Sequence, residues 1–410
     1  MQLTAKFHRR KLEQVRKELE HHELDSLLVM NPVNIYYLTG FWYKASGVME
    51  RPVLALISLN QDPILMVSLD VFGHRAGGNQ PSAISARETG ALGDLSPVVS
   101  DIQVYTEYPY TNGIPTLTWA CRQIEEAGLR GKVLGVEDNF TPINDGVCEP
   151  WYNQIEATFQ GKVVPAGSLV NRMRMVKDPE EVELVRQASY YADEMMRALS
   201  EGLRVGRTEE EVSAIARARV EATMREELPV IIPSLATGRI AAGIPRAFHD
   251  TLTSDPDHTL QSGVPIIINC FATVGGYHGE SERCGLLGTP TARQKTLFDI
   301  AMESEIRAKD AVRPGVQCGE VDLVAKKFIE QAGFDYLYGV GHGIGLLGHE
   351  PPWVREGSET VLEAGMCITL EPGLAVPGEG SFHCSETVLV TDDGCEPLTV
   401  YDGIHRFDLP

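Results

Sequence analysis

The stretch from Val264 to Leu287 constrains this chain more than any other. Two apolar, β-branched runs flank Gly275-Gly276-Tyr277. Strand-like runs broken by paired glycines predict a β-hairpin. Asn269 is expected at the end of the first strand, and Glu280 and Glu282 at the start of the second. Residues two apart leave the same face of a strand. Two carboxylates on one face repel each other and need a cation, a proton or good hydrogen-bond donors. The hairpin is therefore a place where chemistry is expected.

The rest of the chain predicts two domains. A length of 410 residues allows two or three domains with ample core. Residues 8–23 read as an amphipathic helix with Leu12, Val15 and Leu19 on one face, and Ser26–Met30 as a short strand. Strands at Val53–Ile57, Pro63–Val67 and Lys132–Val136, with helical residues 116–127, make an α/β N-terminal domain over 1–165. Residues 77–97, rich in Gly, Ser and Pro, read as loop. In the second domain, 166–410, Asp178-Pro179-Glu180-Glu181 combines a capping Asp, a proline at the first helical position and acids in the first turn. Thr208 with Glu211 is a capping box opening the next helix. After the hairpin the order recurs, with helices over 291–312 and 318–332 and strands near 366–371 and 385–391. This predicts an α+β C-terminal domain with internal pseudo-two-fold symmetry.

Composition excludes some classes. The net charge of −21 disfavours nucleic acid and anionic membrane as partners. No apolar run is long enough to span a bilayer. The N-terminus runs into a charged helix without an apolar signal core, and the eight cysteines lack CxxC spacing. A cytoplasmic location is expected.

Further chemical positions cluster in glycine-rich or strand-end contexts. Gly339-Val-Gly-His342-Gly-Ile-Gly-Leu-Leu-Gly-His349-Glu350-Pro-Pro surrounds two histidines with residues that let backbone approach a ligand closely. Glu371 closes one apolar run, and Glu386 opens another. Oxygen and imidazole groups converging from several strands can hold divalent metal or run acid–base chemistry.

The eleven-residue step from Asn269 to Glu280, the loop from His342 to Pro352, Leu370-Glu371-Pro372-Gly373 and Ser385-Glu386-Thr387 together resemble the pita-bread family of methionine aminopeptidases, prolidases, Xaa-Pro aminopeptidases and creatinase. The resemblance implies a pita-bread catalytic domain behind the smaller domain of the prolidase and creatinase branch. The family's metallopeptidases bind two metals with two Asp, one His and two Glu. Here Asn269 and Glu280 stand where the two Asp belong, while His342, Glu371 and Glu386 match.

These departures are similar to creatinase, the metal-independent branch. The resemblance then implies catalytic roles for His249, Glu282 and Glu371. It implies substrate contacts for Arg51, His342, His349, Glu280 and Arg355, with Arg51 reaching the partner subunit's substrate in a homodimer. The expected substrate is a small cationic or zwitterionic molecule. The expected reaction is hydrolysis of a C–N bond in a guanidino, amidino or cyclic-amidine compound, as in creatinase or ectoine hydrolase, without a cofactor. The alternative is a metal-dependent Xaa-Pro aminopeptidase or dipeptidase with one divalent Mn, Zn or Fe, drawing on Asn269, Glu280, His342, Glu371 and Glu386. A non-catalytic binding module is the third reading.

Overall fold

The computed structural model describes residues 3–42, 52–68, 98–105, 116–138, 149–228, 234–243, 254–336 and 339–401. Its contacts divide the chain into two compact units, Leu3–Met173 and Arg174 onward.

The first unit is built on a six-stranded sheet. Helix α1 (Ala5–His21) starts at Thr4, whose side chain accepts from Phe7 N, and buries Leu12, Val15 and Leu19 along one stripe. The strands are β1 (Ser26–Val29), β2 (Leu54–Ser58), β3 (Ile64–Ser68), β4 (Asp101–Tyr105), β5 (Val133–Val136) and β6 (Lys162–Pro165), in the order β4-β3-β2-β1-β5-β6. Both β2 contacts are antiparallel and the other three pairings are parallel. Among the described residues this part also carries the α-helices α2 (Pro32–Thr39), α3 (Thr116–Ile124), α4 (Glu149–Thr158) and α5 (Gly167–Met175). Leu28, Leu54, Met66, Leu134 and Ile124 form the centre of its core.

The second unit carries the hairpin. Helix α6 (Pro179–Gly202) begins where Asp178 N donates to Glu181 Oε2 at 2.9 Å. Helix α7 (Glu209–Glu227) begins with the reciprocal bonds of Thr208 and Glu211 at 2.9 and 3.2 Å. Then come β7 (Leu235–Ala242), β8 (Pro265–Val274) and β9 (Tyr277–Leu286). Gly275 and Gly276 both take positive φ, 57° and 86°, which the two-residue turn requires. Both strands run longer than the sequence suggested, so Asn269 and Glu280 lie inside them rather than at their ends.

A second helix pair follows, α8 (Ala292–Ala311) and α9 (Cys318–Gln331), then β10 (Gly341–Gly343), β11 (Glu350–Val354), β12 (Cys367–Leu370), β13 (Gly373–Val376), β14 (Gly380–Val390) and β15 (Cys395–Pro397). The main path is antiparallel throughout, β11-β10-β12-β14-β9-β8-β7, with β13 and β15 also on β14. Helix α6 lies on β8 and β9, α7 on β7, α8 on β14 and α9 on β11. Cys270 and Cys284 are buried within the sheet.

Candidate active site

Ladder register decides which side chains meet, because directly opposed residues share a face. One row across the sheet is Phe271 opposite Glu280. Thr387 continues it, bonding the Glu280 backbone on both sides. Thr369 stands opposite Thr387, and His342 opposite Thr369. The neighbouring row is Arg239, Asn269, Glu282 and Ser385, on β7, β8, β9 and β14. Gly341, beside His342, lies so close to Thr369 O that no side chain fits there.

His342 is the pivot. Its Nδ1 lies 3.0 Å from Gly343 O. A carbonyl oxygen only accepts, so Nδ1 carries the proton and Nε2 presents a lone pair. Burial, and His349 beside it, push the imidazole pKa down to about 3, which keeps it neutral. Glu280 Oε2 faces Nε2 at 3.7 Å and Glu371 Oε1 at 3.6 Å. The donor atoms of the three residues all lie within 4.8 Å of one another. Thr369 Oγ1 also lies 3.1 Å from Nε2. Two carboxylates gathered on a neutral imidazole nitrogen favour a cation among them, so this donor set suits a divalent ion. The backbone bond at Nδ1 is the support that ligating histidines typically have.

The neighbouring row is chemically different. Arg239 Nη2 donates to Asn269 Oδ1 at 3.0 Å, and Asn269 Nδ2 donates to Glu280 Oε1 at 3.1 Å. His383 Nε2 lies 2.9 Å from Glu282 Oε1, both side chains being buried. His349 is exposed and tilts against His342 with ring centroids 4.1 Å apart. Burial, then the Arg239 charge, lowers the His349 pKa.

The loop bearing His349 is anchored from below. Arg174 and Lys177 both donate to Glu350, the lysine at 3.0 Å, and all three are buried. Burial alone would raise the Glu350 carboxyl, but the two cations bring it below its usual range. His278 ties the hairpin to the same loop, its N and Nδ1 both reaching Gly345 O, at 2.7 and 3.0 Å.

Of the residues singled out in the sequence, Glu280, His342 and Glu371 converge, with Asn269 and His349 adjoining and Glu282 in the next row. Glu386 does not join them, which corrects its place in the metal set. It stands opposite Ser281 and Leu370, on the other side of the sheet, bonded to Lys309 Nζ at 2.6 Å and near Arg283 at 3.4 Å. Alternation gives the site face to Ser385 instead. Arg355 is exposed after β11 and stacks on Trp353 at 5.8 Å. Arg51 and His249 lie outside the described residues. Sequence reasoning missed Arg239, Thr369 and His383. An arginine within the apolar run Leu235–Ala242 was the one available signal.

An antiparallel sheet backed by two helix pairs, with an acidic, histidine-bearing centre on its open face, defines a pita-bread hydrolase, here preceded by a smaller α/β unit. The chain belongs to metallopeptidase family M24: residues 183–392 match that family, and residues 11–176 match the creatinase/prolidase N-terminal domain. It is 32% identical over 236 residues to an Xaa-Pro dipeptidase of Pyrococcus furiosus, covering 56% of this chain and 65% of that one, just under two thirds of its length. It is 28% identical over 406 residues to an uncharacterised peptidase of Staphylococcus haemolyticus, covering 96% and 99%. The crystal structure of dipeptidase PepE from Mycobacterium ulcerans shares the fold over all of both chains, with a TM-score of 0.78 at 21% identity.

These findings correct two expectations. Hydrolysis of guanidino, amidino or cyclic-amidine compounds gives way, because the relatives are named as dipeptidases, which hydrolyse peptide bonds. The expectation of no metal gives way as well, because the family is one of metallopeptidases, and Glu280, His342 and Glu371 bring together three side chains able to hold an ion. The departures at Asn269 and Glu280 turned the reading toward the metal-independent branch, although three possible donors still converge. Among the described residues no helix is long and apolar enough to cross a membrane.

Proposed function

We propose that this chain is a metal-dependent peptidase acting on short peptides of the Xaa-Pro type, with one divalent ion held by Glu280, His342 and Glu371. The observation that carries the reading is the lone pair of His342 Nε2 facing two carboxylate oxygens at 3.6 and 3.7 Å. When bound, such an ion supplies Lewis-acid polarisation of a carbonyl and a water made acidic enough to attack at neutral pH.

The chain's own groups supply the rest. Glu371, 21% exposed against 2% for Glu280, is the carboxylate more open to solvent, and the oxygen it does not turn toward His342 would take a proton from an attacking water. His349, exposed and beside His342, hydrogen-bonds the carbonyl oxygen as charge develops there. Asn269 holds Glu280 Oε1, leaving Oε2 toward His342. The apolar ring of Phe271 and the stacked imidazoles make the wall against which a proline ring would pack. His249 is the candidate for protonating the leaving nitrogen, and Arg51 for binding a carboxylate across a homodimer. The location that suits this chemistry is the cytoplasm, in keeping with the unbridged cysteines among the described residues.

The test is chelation followed by add-back of Mn, Zn or Fe, with Xaa-Pro dipeptides and guanidino acids assayed side by side. Dipeptide cleavage that disappears with chelation and returns with metal is expected. Metal-loaded protein that leaves every Xaa-Pro peptide intact defeats the reading.

A further inference from the structure

The row beside the ligand set carries its own charge. Arg239, Asn269, Glu282 and Ser385 stand directly opposite one another on four adjacent strands. Both ends of the Asn269 amide are committed. Its oxygen accepts from Arg239 Nη2 at 3.0 Å, and its nitrogen donates to Glu280 Oε1 at 3.1 Å. The chemistry of the partners fixes this orientation, since a guanidinium only donates and a carboxylate only accepts. The oxygen is the one side-chain atom with which Asn269 could ligate a metal, and it faces a guanidinium. The Phe271 ring holds that guanidinium in place, with Cζ 5.3 Å from the ring centroid. Opposite the other end of the row, Ser385 offers a hydroxyl on the site face, while the carboxylate of Glu386 faces away.

We propose that Arg239 is a resident cation occupying the place of a second metal ion, limiting the centre to one divalent ion; this rests on the reading of Glu280, His342 and Glu371 as ligands. A second ion beside Asn269 must displace a guanidinium N–H and then stand next to a fixed positive charge. Restoring a carboxylate at 269 does not admit the ion, because Arg239 pairs with the new carboxylate in bidentate fashion. Removing the charge at 239 as well leaves a carboxylate at 269 in register with Glu282, and that pair draws in a cation.

The experiment is a Mn2+ titration of the chelated full-length protein, with free Mn2+ read by electron paramagnetic resonance. The wild type binds one ion per chain, and His342→Ala binds none. Asn269→Asp binds one. Asn269→Asp with Arg239→Gln binds two, and Asn269→Asp with Arg239→Lys, which keeps the charge, returns to one. The retained first ion reports that the Asn269 and Arg239 variants are folded, and circular dichroism reports it for His342→Ala. Two ions in the wild type, a second ion in Asn269→Asp alone, or no second ion in the Arg239→Gln pair each overturn the role of Arg239 while leaving the ligand set standing. A wild type that binds no ion overturns both.

Discussion

His342 and its two facing carboxylates make the centre readable one side chain at a time. The imidazole is kept neutral by burial and by His349, its tautomer is set by Gly343 O, and its lone pair meets Glu280 and Glu371. Replacing any one of the three takes a donor from the cluster. Glu280→Gln is expected to lower kcat by roughly three orders of magnitude and to weaken ion binding, with the fold intact by circular dichroism. Equal peptidase rates in the variant and the wild type, at saturating metal, would remove Glu280 from the ligand set. In the proposed mechanism His349 acts differently, contacting substrate rather than the ion. Its replacement by Ala should lower kcat by about 100-fold and leave metal stoichiometry unchanged, as measured by elemental analysis beside steady-state kinetics.

Strands and loops determine which of these groups meet, and here legibility in the sequence divides sharply. The hairpin could be read because Gly275-Gly276 meets a backbone demand that few other residues satisfy, and the starts of α6 and α7 because Glu181, Thr208 and Glu211 satisfy otherwise orphaned N–H groups. Glu386 could not be placed, because motif position fixes a strand residue only to within one step and a single step turns it to the other face. Arg239 could not be paired with Asn269, thirty positions away, without the β7–β8 register. The loop carrying His349 shows the same dependence on distant partners. Glu350 is held by Arg174 and Lys177, over 170 positions earlier in the chain. Lys177→Met removes one of the two cations from a buried carboxylate and should cost about 3 kcal/mol in urea unfolding. Adding Glu350→Gln should cancel part of that loss, because the orphaned charge is then gone. If the double variant is less stable than Lys177→Met, burial of charge is not what the pair balances.

Across the sheet from the site, the C-terminal unit carries a second set of ionisable groups whose effect is on the stability of the whole molecule. Glu305 and Lys309 of α8, Glu386 of β14, Arg283 of β9 and Asp193 of α6 gather there, and Asp193 accepts from Val400 N at 2.6 Å. Burial, then the charge of Glu386, pushes Glu305 up to about 8 despite Lys309, and burial pushes Asp193 up to about 6. A carboxyl whose folded pKa lies above its unfolded value binds more protons in the native state between the two. Stability therefore falls as pH rises through that window, and the penalty is complete above the folded pKa. For Glu305 the window runs from the ordinary carboxylate range to about 8. Asp193 adds its share below about 6. Glu305→Gln removes the larger part. Relative to the wild type it should be near neutral at pH 5 and gain stability steadily toward pH 8, reaching roughly 2–4 kcal/mol and levelling above. Urea unfolding of both proteins across that range measures the difference directly. A difference that stays flat with pH would mean that Glu305 is ionised throughout, balanced by Lys309. The acid cluster would then be a compensated network with no cost to the folded state. Because the cluster lies on the opposite face from His342, the same variant should leave metal stoichiometry unchanged, separating what holds the sheet from what the sheet holds.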